Sequence, residues 1–319
     1  MSIRDSPPTP ALSRLLLALS VWPVQLPEHT ELLALAAARQ HDARMVPPLV
    51  ELLSAREGRE AVRAALVSFG EDALQAVWWA LRDTKRPRRF RIHVPKTIGR
   101  FGTREAAEYL LENIETEEDG LVRYKSIRAL ELLVAQRRIP LDCARVERLA
   151  QDALVRHFRL LAQRTTLGAP PVVDGHAPAA DRLLVGLLDD KLAQSLERAF
   201  RLLAIAHPRE DFRRLRHACS SSDPYMRANA GELLDALMRH RDQQPLRALL
   251  RLITDDLPPS ERAARAVPLA GRPMPGGRAE ALSALMHDHD PVVARLATVC
   301  AKGPAASASA PRAMAAAHA

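Results

Sequence analysis

Nine basic side chains lie between Arg82 and Arg104, with a single acid, Asp83, among them. Arg and Lys at such density can neutralise phosphates, and Phe90, Trp78 and Trp79 nearby offer rings on which bases stack. The centre of the stretch, RRFRIHVPKTIGRFG (88–102), threads its charges with Phe90, Ile92, Val94, Ile98 and Phe101. The same residues therefore also suit a helix with one wet and one buried face. The next fifteen residues, EAAEYLLENIETEED (105–119), hold seven acids and no base. Folded back as an antiparallel helix, they would lie beside the basic run and cancel much of its far field. A partly paired repeat face is thus preferred over a nucleic-acid grip.

Other chemistry-bearing patterns have structural explanations. HDHD (287–290) holds two His and two Asp, but His287 and His289 are two residues apart and point in different directions at a helix start. Asp290 before Pro291 is already accounted for as a cap, so no third metal ligand is set by spacing. GRPMPGG (271–277) lacks both the GK[ST] ending and the preceding strand of a phosphate loop, and reads as a linker. SSSDPY (220–225) offers serines without a His and acid at usable spacing, and helix capping explains it. No catalytic residue, metal ligand or cofactor is assigned, and the chain is read as non-enzymatic.

The elements that carry these residues are helices. The chain is 47% hydrophobic but only 4% aromatic, and its apolar residues are chiefly Leu, Ala and Val, which favour close-packed helices over sheets. Net charge is +8, but nearly all of the basic residues are Arg, so part of the high isoelectric point reads as a compositional habit. Cys143, Cys219 and Cys300 lie far apart with no CxxC spacing. This argues against a disulfide framework or zinc site and favours a reducing, cytoplasmic setting. The apolar stretch LSRLLLALSVWPV (12–24) is too short to span a bilayer and reads as a first helix rather than a signal peptide.

Internal similarity organises the chain. Segments from Pro87, Asp119, Asp223 and Asp290 overlay, and the first three place Arg91, Arg123 and Arg227 at the fifth position. Asp223-Pro224 and Asp290-Pro291 predict helix starts, with a carboxylate accepting orphan N–H groups and proline where its missing N–H costs nothing. A second apolar helix follows at 71–83, 103–114 and 244–256, so the unit is a helical hairpin that must stack on its neighbours to bury its apolar face.

The D-x-x-x-R start, Ala/Leu-rich helix and second apolar helix resemble HEAT repeats, over about 45–135 and 210–302. HVPKTIGRFG, VRYKSIRALELL, LERAFRLLAIAHP and RANAGELLDALM, in that order, are similar to the HEAT-type region that some bacterial proteins carry beside a translocase-like membrane domain. That resemblance implies a soluble module working near a membrane complex, and it brings no catalytic residues. The expected fold is all-α, an α-solenoid of stacked HEAT-like hairpins. Expected divisions are a helical cap at 1–45, repeats at 46–141, a long-helix pair at 142–209 with a Pro/Ala/Gly loop at 165–180, repeats at 210–302 and a disordered tail at 303–319.

The expected function is a protein-interaction scaffold presenting a curved helical surface to a protein partner. Arg88, Arg89, Arg91, Arg123, Arg227 and Trp78 are its candidate surface, although pairing within the repeats is the favoured role for the recurring arginines. The alternatives are a nucleic-acid-binding HEAT-like module, or a HEAT-like DNA glycosylase, using 82–104, and a lyase or chaperone-like helper.

Overall fold

The computed structural model describes residues 10–21, 27–170, 178–238 and 244–302. The tail at 303–319, most of the loop at 165–180 and residues 22–24 of the first apolar stretch lie wholly or partly outside that set. All regular secondary structure among the described residues is helical. The chain divides into two compact units, residues 1–142 and 143–319.

The first unit is a stack of hairpins. Its helices are α1 (Pro10–Val21), α2 (Pro27–Gln40), α3 (Val46–Glu51), α4 (Arg59–Ser68), α5 (Glu71–Arg82), α6 (Arg88–Arg91), α7 (Val94–Arg100), α8 (Arg104–Thr116) and α9 (Gly120–Arg137). One layer runs α2, α4, α7, α9 and the other α3, α5, α8, each helix packing on the next. Periodicity explains the layering: α5 buries Ala73, Leu74, Val77, Trp78 and Leu81, and α8 buries Ala106, Ala107, Leu110, Leu111 and Ile114. Each fully buried Leu contributes about 1.5–3 kcal/mol of burial energy. Thr103 caps α8 by accepting from the Ala106 N–H (3.1 Å), and Asp119 caps α9 by accepting from Leu121 and Val122. Gly58 precedes α4 at φ +69°, and a Cβ there would sit 2.9 Å from the Thr30 Cβ. Only glycine meets both the left-handed backbone and the close approach of α2.

The basic stretch departs from expectation. Instead of one continuous helix, it forms the two short helices α6 and α7, interrupted at Ile92 and His93. Pro95 sits in the first turn of α7, where its missing N–H donor costs no intrahelical hydrogen bond.

The second unit is built on two long helices, α10 (Cys143–Leu167) and α11 (Ala179–Ala206). Around them stand α12 (Phe212–Cys219), α13 (Pro224–Leu237), α14 (Gln244–Thr254), α15 (Pro259–Ala270), α16 (Arg278–Leu285) and α17 (Pro291–Lys302). Helix α10 packs on α11, α14, α15 and α16, and α11 also packs on α12 and α17. Leu167, Leu184, Leu188, Leu282, Leu285 and Val293 form one core cluster. Arg278 ties it down by pairing with the buried Asp181 and donating to the Leu167 carbonyl at 3.1 Å.

Candidate interaction surface

The basic stretch is largely neutralised inside the first unit. Arg82 pairs with Glu112 at 2.8 Å and lies over the Trp78 ring. Arg86 grips Glu51 with two nitrogens, at 2.7 and 3.0 Å, and covers Phe90. Arg88 pairs with Asp119 at 2.8 Å, and Lys96 and Arg100 share Glu60. Among the described residues, Lys85, Arg89 and Arg104 have no ion pair. The compensating acids come mainly from the preceding elements and the 117–119 loop, with Glu112 representing α8 itself.

The candidate surface residues accordingly part company. Arg91 is 6% exposed: it donates to the Leu81 carbonyl (2.9 Å) and pairs with the buried Glu117. It is a structural clamp and not a surface residue, because a desolvated guanidinium needs acceptors that only the interior supplies here. Trp78 is buried too, stacked on Tyr109 with ring centroids 4.7 Å apart. Trp79, about 100° further round α5, is the exposed indole and lines an open groove with Pro47, Val50 and Ala76. Arg88 and Arg89 do face outward.

Arg123 and Arg227 repeat one device. The side chain of Asp119 or Asp223 caps the helix start. Four residues later the arginine reaches back to the loop before the cap, Arg123 to the Glu117 carbonyl and Arg227 to the Ser221 and Ser222 carbonyls. Arg227 also pairs with Asp256. The Asp-x-x-x-Arg spacing thus closes the connection into each hairpin, so neither arginine is available as part of an exposed ridge.

A second exposed surface lies in the second unit, on residues other than the expected Arg227. On α12, Phe212, Leu215 and Cys219 are buried, while Arg213, Arg214 and His217 are exposed. Arg213, Arg214 and the half-buried Arg216 have no ion pair among the described residues. On α13, which packs on α12, Ala230 and Leu234 face inward. The opposite side exposes Tyr225 (73%), Met226 (45%), Leu233 (48%) and Ala236, with Asn229 among them. At helical spacing these five share one face of roughly 100°, apolar except for the Asn229 amide. An exposed, mainly apolar helix face beside unpaired cations has the physical character of a docking surface.

Two arrangements that could suggest catalysis resolve otherwise. His157 Nδ1 lies 3.0 Å from the Ser195 hydroxyl, but both residues are buried and that hydroxyl also lies 2.8 Å from the Leu192 carbonyl. The pair satisfies polar groups in the α10–α11 interior. His287 Nδ1 lies 2.9 Å from the Ser283 carbonyl, and Asp290 caps α17 and pairs with Lys191 at 2.8 Å. Among the described residues, no three His, Cys, Asp or Glu side chains gather as metal ligands would.

Burial, and then the charge of Arg262, pushes His157 down to about 4. The unfolded chain, with His near 6.5, binds the proton more tightly, so stability is present above pH 6.5 and lost as pH falls toward 4. This group is expected to contribute a slope of up to about 1.4 kcal/mol per pH unit in that window. Urea unfolding followed by far-ultraviolet circular dichroism should show the slope, and His157→Leu should flatten it. An unchanged slope in the variant would count against this assignment.

The family described as HEAT repeats matches residues 46–131, which span α3 through most of α9. No curated protein matches the chain, and no solved structure matches it. The matched residues coincide with stacked hairpins closed by Arg91 and Arg123, so residues 46–131 are similar to HEAT repeats, within a chain whose regular structure among the described residues is all helical.

Proposed function

We propose that the chain is a non-catalytic, cytoplasmic interaction scaffold. HEAT repeats mediate protein interactions, and the partner proposed here is a protein segment that docks on α12 and α13. The carrying observation is the exposed, mainly apolar face of α13, with Tyr225, Met226 and Leu233, beside the unpaired Arg213 and Arg214. Burying such a face against a partner's apolar side chains supplies the driving force, and the cations select a segment with carboxylates at its rim. An amphipathic helix with an acidic flank has both properties. Work beside a membrane complex is part of this proposal; no helix among the described residues is long and apolar enough to cross a membrane.

The nucleic-acid reading finds less support, because six of the nine basic residues from Arg82 to Arg104 are already paired. Affinity capture from the native host tests the choice. Wild-type protein should retain a partner bearing an acidic, amphipathic segment, and Arg213→Glu with Arg214→Glu should release it. Retention by that double variant, with loss on Arg88→Glu and Arg89→Glu, would overturn the proposal.

A further inference from the structure

One group of cations in the first unit is crowded together with few counter-charges. Helices α4, α7 and α9 lie side by side in the same layer, and their basic residues meet at one level. The Arg59 Nη1 lies 3.2 Å from the His93 Nδ1, and Arg63 donates to the His93 carbonyl and the Thr97 hydroxyl, both at 3.3 Å. Lys125, from α9, lies near enough that its charge bears on the same imidazole. Lys96 and Arg100 flank the group one and two turns along α7. Three of these cations, Arg63, Lys96 and Arg100, already share the one carboxylate, Glu60. Among the described residues, Arg59 and Lys125 have no carboxylate partner.

The cluster is electrostatically incomplete. The buried Nε of Arg59 has no acceptor, and Arg63 is 4% exposed. Burial, and then repulsion from Arg63, lowers the Arg59 pKa, and burial first of all lowers that of Arg63. Burial, with the charges of Arg59, Arg63 and Lys125, pushes His93 down to about 4, so the imidazole is neutral at pH 7. Like charges held together with too few counterions are relieved by an anion, and guanidinium groups favour planar or tetrahedral oxyanions.

We propose that Arg59, Arg63, His93 and Lys125 form a binding site for a phosphate monoester dianion, either free phosphate or a phosphorylated side chain. The excess of cations over carboxylate favours a dianion over a single carboxylate. Most neighbouring cations are closed off, Lys96 and Arg100 by Glu60, Arg91 by Glu117 and Arg88 by Asp119, and among the described residues of 82–104 only Lys85, Arg89 and Arg104 have no ion pair. A nucleic-acid backbone would need several such clusters in a row.

Titration of the full-length protein with inorganic phosphate at pH 7, followed through the His93 ring resonances, tests the site. Saturable binding is expected, weakened about tenfold or more in Arg59→Gln and in Lys125→Gln, each a loss of 1.4 kcal/mol or so. Arg213→Gln should leave it unchanged. A phosphoserine peptide that binds more tightly than free phosphate identifies a protein-borne group, and the reverse identifies the free ion; either supports the site. Absence of saturation, unchanged binding in both site variants with native circular dichroism, acetate binding as tightly as phosphate, or tighter Arg59-dependent binding of a short DNA duplex would each overturn it.

Discussion

Arg91→Ala should destabilise the first unit by about 3–5 kcal/mol, because it leaves the Glu117 carboxylate buried without its counter-charge. The side chains are 7% and 3% exposed, and Arg91 also supplies a donor to the Leu81 carbonyl at the end of α5. Glu117 in turn organises the entry to α9, accepting from the Asp119 N–H at 2.9 Å while its carbonyl accepts from Arg123. One substitution thus loosens the joint between two hairpins. Arg88→Ala is the matched control: its pair with Asp119 has a side chain 60% exposed and should contribute about 0–1 kcal/mol. All three tryptophans, at positions 22, 78 and 79, fall in the first unit, so fluorescence during urea unfolding reports on that unit. Equal midpoint shifts for the two variants would contradict the clamp.

Leu233→Asp should abolish partner retention while leaving the fold intact. Leu233 is 48% exposed on α13, whereas its neighbour Leu234 is 3% exposed and belongs to the core. A central apolar anchor in an interface is commonly worth 2 kcal/mol or more, so affinity should fall about thirtyfold or further. The new carboxylate faces solvent in the free protein, so thermal stability should move by about 0.5 kcal/mol or less. Leu234→Asp would do the opposite and unfold the helix pair. If Leu233→Asp binds as well as the wild type, the apolar face of α13 is not where the partner sits.

The contrast between Leu233 and Leu234 shows why the hairpins were legible and their surfaces were not. Hairpin form is local: Asp-Pro caps, 3.6-residue periodicity and the Gly/Pro connections announce α5, α8, α13 and α14 within a few residues of their observed ends. Burial of Arg91 depends on Glu117, 26 positions away, and nothing local distinguishes a clamped arginine from a surface one. The same holds for charge balance. The acids of 105–119 answer Arg82, Arg88 and Arg91 through Glu112, Asp119 and Glu117, as their proximity in sequence predicts, but Arg86 turns to Glu51, and Lys96 and Arg100 turn to Glu60, in elements that precede them. Helix α13 is largely apolar on two sides, which reads as a buried helix until its neighbours are placed. Pro95 is compatible with either a kink or a new helix start, and only the packing of α7 against α9 selects the start.

The docking surface proposed for the chain lies on α12 and α13 and not on the basic stretch. Hydrogen exchange of the protein with and without its captured partner tests this most directly, since amides covered by a partner slow relative to the free chain. The predicted result is protection confined chiefly to residues 212–219 and 224–237, with the amides of 82–104 exchanging as in the free protein. Protection concentrated in 82–104, with α12 and α13 unchanged, would contradict it.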